Sequence, residues 1–164
     1  MQITTEQIKN LRDETGVSVM QCKKALEEAG GDMEKSRIIL RKISKQSADK
    51  KSERTLGSGI IASYIHGNGS VGAMMELLCE SDFVARNEEF KVLAKDIAMH
   101  ITALAPEYLR IEDVKEEDKD EEKVLLEQAF IKNPEINIRA LIEQAIQKFG
   151  ERIEIGRFVR FSIN

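Results

Sequence analysis

Two apolar runs, Ile60-Ile61-Ala62-Ser63-Tyr64-Ile65 and Val71 to Cys79, stand on either side of Gly67-Asn68-Gly69, and they constrain the fold more than any other part of the chain. The first run is β-prone and short enough for a strand. In the second, Val71, Ala73, Met75, Leu77 and Cys79 recur at every other position, the period of a strand with one face buried. Gly-Asn-Gly between two such runs is a hairpin signal. A competing pattern overlaps it, because Gly67 to Gly72 matches the dinucleotide fingerprint G-x-G-x-x-G letter for letter. That motif needs a helix after the glycines, whose N-terminus holds the pyrophosphate. Ala73 to Leu78 has the propensity for one, but the period-two alternation and a 164-residue chain too short for a doubly wound sheet favour the hairpin.

The segments that follow supply cover for the hairpin. Asn87 is placed to cap a helix, Glu88 and Glu89 suit its positive end, and Phe90, Leu93, Ala94, Ile97, Ala98 and Ile101 form one face, ending at Pro106. Residues 107–122 are acidic and nearly free of apolar side chains, an expected exposed loop. A second amphipathic helix uses Leu141, Ile142, Ala145, Ile146 and Phe149 and closes at Gly150. Ile153, Ile155, Val159, Phe161 and Ile163 then predict a strand with one buried face, interrupted at Arg157. The sum is an α+β fold, a small antiparallel sheet of about three strands with helices packed on one side.

Three short helices precede it. Thr4 and Gln7 fit a capping box with Ile3 stapled onto Ile8, and Gly16 suits a left-handed C-cap. Ser18 starts a second helix, which runs to Gly30-Gly31, and Asp32 caps a third that turns Met33, Ile39, Leu40 and Ile43 inward. The expected organisation is therefore a three-helix module over 1–45, a polar linker over 46–58 and an α+β core over 59–164. The module is too small for a catalytic cleft, so its expected use is to present a surface. The lysines of the linker read as a solvated face.

Composition and motif spacing exclude several functions. A net charge of −4 argues against general nucleic-acid binding, and no apolar run is long enough to span a membrane. Cys22 and Cys79 read as buried thiols rather than a disulfide framework. The opening Met1-Gln2-Ile3-Thr4 lacks a signal or transit pattern, so a cytoplasmic protein of bacterial type is expected, although a processed organellar protein would look the same. No phosphate loop, metal-ligand spacing or catalytic triad is present, so no enzymatic chemistry, cofactor or metal is expected. His66 reads as a turn residue and His100 as a helix-surface residue. The methionines fall at core-like positions except Met20, early in the second helix.

The segment Ser81-Asp82-Phe83-Val84-Ala85-Arg86-Asn87 departs from these patterns. A Phe beside an Asp in a connecting loop is either a plug for the sheet edge, with Ser81 or Asp82 capping a turn, or an anchor offered to a partner. Sequence chemistry alone leaves both readings open.

Leu11-Arg12-Asp13-Glu14-Thr15-Gly16, followed by Met20-Gln21-Cys22-Lys23-Lys24-Ala25-Leu26, resembles the opening of the elongation factor Ts family. Cys79-Glu80-Ser81-Asp82-Phe83-Val84-Ala85-Arg86-Asn87 resembles that family's other signature. Ile65-His66-Gly67-Asn68-Gly69, Ala98-Met99-His100-Ile101 and Arg157-Phe158-Val159-Arg160-Phe161 add collinear matches. The resemblance implies a guanine-nucleotide exchange factor that binds elongation factor Tu, both GDP-bound and nucleotide-free. Asp82 and Phe83 would intrude near the partner's magnesium, with Ser81 and Val84 completing the motif. It also implies that the N-terminal module is a ubiquitin-associated-like fold that contacts the partner through Val19 and Met20. Ser81 stands where the family usually has Thr, and Gln128-Ala129-Phe130 replaces a pattern with a central Pro. The helical segment expected before Leu125 is absent, as is one half of the duplicated core of longer members, and a homodimer is the expected way for a short form to recover lost contacts. The competing expectation is an adaptor whose helical module binds a ubiquitin-like or nascent-chain partner, with Phe83 buried.

Overall fold

The computed structural model describes residues 3–115 and 120–163. The chain separates into two compact units, Met1–Glu53 with Glu143–Glu151, and Arg54–Ile142 with Arg152–Asn164.

The three N-terminal helices of the first unit start at caps written in the sequence. In α1 (Thr5–Thr15), Thr4 Oγ1 accepts from the Gln7 amide at 3.2 Å and Gln7 Oε1 accepts from the Thr4 amide at 3.0 Å. This reciprocal box satisfies two donors that a helix start otherwise leaves orphaned. Gly16 follows at φ 66°, a left-handed C-cap. Ser18 caps α2 (Val19–Glu28) and Asp32 caps α3 (Met33–Lys51). Leu11, Val17, Cys22, Ala25, Leu26 and Leu40 form the core, with Ile3, Ile8, Met33, Ile39 and Ile43 packed against it. Residues 46–51, read from the sequence as linker, continue α3 as helix. Gln46, Ala48, Lys50 and Lys51 favour helix and carry this extension without an apolar stripe, and Lys51 Nζ donates to Ser47 Oγ one turn back at 2.7 Å. Ser44, buried on the same helix, donates its hydroxyl to Gln147 Oε1.

In the second unit, β1 (Ser58–His66) and β2 (Val71–Cys79) form the hairpin, and β5 (Ile153–Ser162) pairs antiparallel on the other side of β2. Gly67 (φ 52°) and Gly69 (φ 84°) make the reversal, closed by the Gly69 amide donating to His66 O at 3.0 Å. A strand, not a helix, follows Gly72, so the dinucleotide pattern is a hairpin turn. One sheet face packs on α5 (Glu88–Leu104), burying Met75, Leu77 and Cys79 against Phe90, Ile97 and Ile101. Helix α5 ends at Ala105, left-handed at φ 48° just before Pro106. Of the acidic stretch 107–122, residues 116–119 lie outside the described residues. The two-residue strand β3 (Ala129–Phe130) and its partner β4 (Asn133–Asn137), which precede α6 (Ile138–Phe149), are among the elements that had no sequence signal.

The structure corrects three expectations. The terminal strand does not keep one buried face. Ile153 and Ile155 are buried, whereas Val159, Phe161 and Ile163 are exposed, Phe161 by 69%. The register explains the switch: Leu77 faces Ile155, but Met75 faces Phe158, so β5 carries one extra residue. Such a bulge moves every later side chain to the opposite face. A Cβ at Gly156 would lie 2.7 Å from Glu76 Oε2, so the extra residue sits where no side chain is present. Beyond it Arg160 faces α5 and donates from Nε to Thr102 O at 3.0 Å. The second correction concerns Met74, which is exposed on the sheet's outer face and not core-like.

The third correction is His100, which is fully buried rather than on the helix surface. Burial is tolerated because both ring nitrogens are satisfied. The Ile131 amide donates to Nδ1 at 3.2 Å, which leaves Nε2 to carry the proton and donate to Gln128 Oε1 at 3.0 Å. Gln128 Nε2 donates in turn to Glu122 O at 2.7 Å. Desolvation lowers the His100 pKa from its ordinary 6.5, opposed by the bond to Gln128. The unfolded chain therefore binds this proton more readily, and the associated stability is complete above pH 6.5 and lost as pH falls toward the folded-state value. Urea unfolding from about pH 7.5 down to about pH 5 will show a declining free energy, and His100→Asn will remove that part of the slope.

Candidate functional site

The chain leaves β2 at Cys79, whose pairing partner across the hairpin is Ser58. Glu80 then fixes the exit, accepting the Arg152 amide at 2.6 Å and facing Arg54 Nη1 at 3.4 Å. Ser81 is extended (φ −126°, ψ 154°), and its Oγ accepts from the Val84 amide at 3.4 Å, the N-cap of the short helix α4 (Asp82–Ala85). The Ala85 amide donates to Ser81 O at 3.2 Å and the Arg86 amide to Asp82 O at 3.0 Å, which closes the turn. Asn87 leads into α5, its Oδ1 accepting from the Glu89 amide at 2.8 Å.

One helical turn has an inside and an outside. Val84 and Ala85 are buried and fasten the turn to the sheet unit. Successive residues are separated by about 100° around the axis, so Asp82 and Phe83 point away from that anchor. Phe83 is 85% exposed. Ser81 therefore caps a turn, as the plug reading expected, while Phe83 is presented outward, as the anchor reading expected. A rigid aromatic on a fastened turn can enter a partner's pocket with little conformational entropy to lose. Asp82, 77% exposed in its side chain, sets a carboxylate beside it, with Arg86 Nη2 4.0 Å from Oδ2.

Ser81, Asp82, Phe83 and Val84 thus form one continuous feature, with two residues bonding and fastening and two presented. Val19 and Met20 are the first two residues of α2 in the helical unit, and both are exposed. Sequence reasoning missed Ser58, whose Oγ donates to Asp82 Oδ1 at 2.7 Å. Strand register was the signal that could have found it, since Ser58 faces Cys79 at the base of the loop. His66 sits at the exposed end of the hairpin, with Nδ1 3.2 Å from Tyr64 Oη. Among the described residues no group of three or more His, Cys, Asp or Glu could hold a metal ion, and no helix is long and apolar enough to cross a membrane.

The sequence profile of the family described as Elongation factor TS matches residues 37–129, which include the whole of this loop. The protein named elongation factor Ts of Carboxydothermus hydrogenoformans is 42% identical over 193 aligned residues, covering 98% of this chain and 89% of that one. Its namesake in Thermodesulfovibrio yellowstonii is 44% identical over 194 residues, covering 99% and 97%. That of Coprothermobacter proteolyticus is 39% identical over 195 residues, covering 99% of each chain. These alignments are longer than the 164-residue chain, so the relatives carry residues that it lacks.

The cap makes a local prediction. Ser81→Ala will speed hydrogen exchange at the Val84 amide by about fivefold, the effect of losing about 1 kcal/mol of capping, and Ser81→Thr will keep the protection.

Proposed function

The chain belongs to the elongation factor Ts family, and from that premise we propose that it promotes release of GDP from elongation factor Tu so that GTP can bind. It acts by binding and not by catalysis. The observation that carries this reading is the exposure of Phe83 on a capped, fastened turn, with the Asp82 carboxylate beside it. An adaptor with Phe83 buried is disfavoured by the same observation.

In this mechanism the loop approaches the partner's phosphate and magnesium site. A magnesium ion bridging phosphates to the GTPase neutralises charge, and displacing it weakens the nucleotide's hold. Each 1.4 kcal/mol of lost interaction is about tenfold in affinity. Phe83 supplies the wedge, because burying its ring offsets part of the rearrangement. Asp82 brings negative charge and a competing acceptor toward the phosphates. By linkage, this protein and GDP weaken each other's binding by the same factor. Val19 and Met20, exposed on α2, supply a second contact from the helical unit. No residue of the chain needs to bind nucleotide or metal.

We propose also that a second copy covers the outer face of the three-stranded sheet. Opposite α5, that face presents Ile61, Ile65, Met74, Val159 and Phe161 around an ion pair in which Arg157 Nε lies 2.7 Å from Glu76 Oε1. A two-fold contact sets such a face against itself and buries apolar side chains that one chain leaves in water.

Two experiments test these readings. Unmodified protein will accelerate release of fluorescent GDP from elongation factor Tu, and Phe83→Ala will lose most of that acceleration, about tenfold or more. A folded sample with no effect on release would overturn the exchange reading. In sedimentation equilibrium the protein will run as a dimer and Phe161→Asp as a monomer. A monomer at all concentrations would remove the second copy.

A further inference from the structure

We propose that Ser58, which lies outside the loop, is a positioning residue that sets the Asp82 carboxylate for engagement with the GTPase. This rests on the reading of Ser81 to Val84 as the exchange element. Ser58 and Cys79 are the last facing pair of the β1–β2 hairpin, and each grips the loop that leaves it. Ser58 Oγ donates to Asp82 Oδ1 at 2.7 Å, and the Cys79 thiol donates to Ser81 O at 3.3 Å. One bond fixes the side chain of Asp82 and the other fixes the backbone before it.

The approach of β1 to the loop depends on the residues flanking Ser58. A Cβ at Gly57 would lie 3.2 Å from Glu80 O, and one at Gly59 would lie 2.5 Å from Leu77 O. Side chains at either position would press the start of β1 away from the backbone that carries the loop. With glycine on both sides, the half-buried Ser58 comes within hydrogen-bond distance of Asp82.

The geometry orients the carboxylate and does not conceal it. Ser58 occupies one oxygen, while the side chain stays 77% exposed and Oδ2 remains 4.0 Å from Arg86 Nη2, at the edge of ion-pair range. An exposed Asp on the first turn of a four-residue helix otherwise samples several rotamers. It would have to give up that freedom on docking, at a cost to affinity for the nucleotide-bound GTPase. Ser58 holds the rotamer in advance, through a bond to a charged acceptor, the stronger kind of hydrogen bond.

The test is GDP release from elongation factor Tu at concentrations of this protein below saturation, with Ser58→Ala, Ser58→Thr, Asp82→Ala, the Ser58→Ala/Asp82→Ala pair and Phe83→Ala. Ser58→Ala is expected to slow release by about fivefold, the size of one immobilised side chain. Ser58→Thr keeps the hydroxyl and is expected to restore the rate. In the Asp82→Ala background Ser58→Ala is expected to add nothing, because its effect passes through that carboxylate. Ser58→Ala at the unmodified rate or faster would overturn the proposal, as would an equal loss with Asp82 already removed. Either outcome leaves the exchange reading standing as long as Phe83→Ala still abolishes most of the acceleration. No acceleration by the unmodified protein would overturn the exchange reading and, with it, the assignment of Ser58.

Discussion

The burial of one face of the β1–β2–β5 sheet against α5 is the contact on which the candidate site depends. Met75, Leu77 and Cys79 on β2 and Phe90, Ile97 and Ile101 on α5 are almost completely withdrawn from water. Side chains of this size each contribute about 1.5–3 kcal/mol when buried. The loop carrying Phe83 spans the short gap between the end of β2 and the start of α5. Its two ends are therefore held by elements that bury apolar side chains against each other. On that scaffold the buried Val84 and Ala85 hold the turn while Phe83 stays in water.

The turn itself follows the same economy of local and distant forces. Ser81 ties the turn internally, and the burial of Val84 and Ala85 ties it to the sheet. Ser58 and Cys79 then bind it to the end of the hairpin. With these constraints met, exposing Phe83 costs solvation free energy that binding a partner can recover. A similar balance holds at the outer sheet face, where the bulge at Gly156 turns Val159 and Phe161 toward solvent. Both features leave apolar side chains of the single chain in water, area that burial against a partner would cover.

The starts of the three N-terminal helices were legible residue by residue, because capping is a short-range interaction. Thr4 with Gln7, Ser18 with Gln21 and Asp32 with Lys35 are three positions apart and need no tertiary context. The hairpin was legible for the same reason, through alternation and a glycine turn. The end of α3 was not, since its polar residues carry no periodicity. Ser81 to Val84 stood out as a segment, but its exposed and buried members could not be separated without the sheet beneath it.

The sequence by itself determined where the three N-terminal helices and the hairpin strands begin, that one sheet face is apolar, and that an aromatic sits beside an acid between β2 and α5. Those properties depend on neighbours within a few residues. Tertiary structure alone decided which way that aromatic points, which face the end of β5 presents, and that His100 is buried. Each of these depends on residues far along the chain: the strands beneath Val84 and Ala85 for Phe83, Met75 for Phe158 and Gln128 for His100. Local pattern fixes periodicity, but the choice of face follows from register, and register exists only once distant segments have paired.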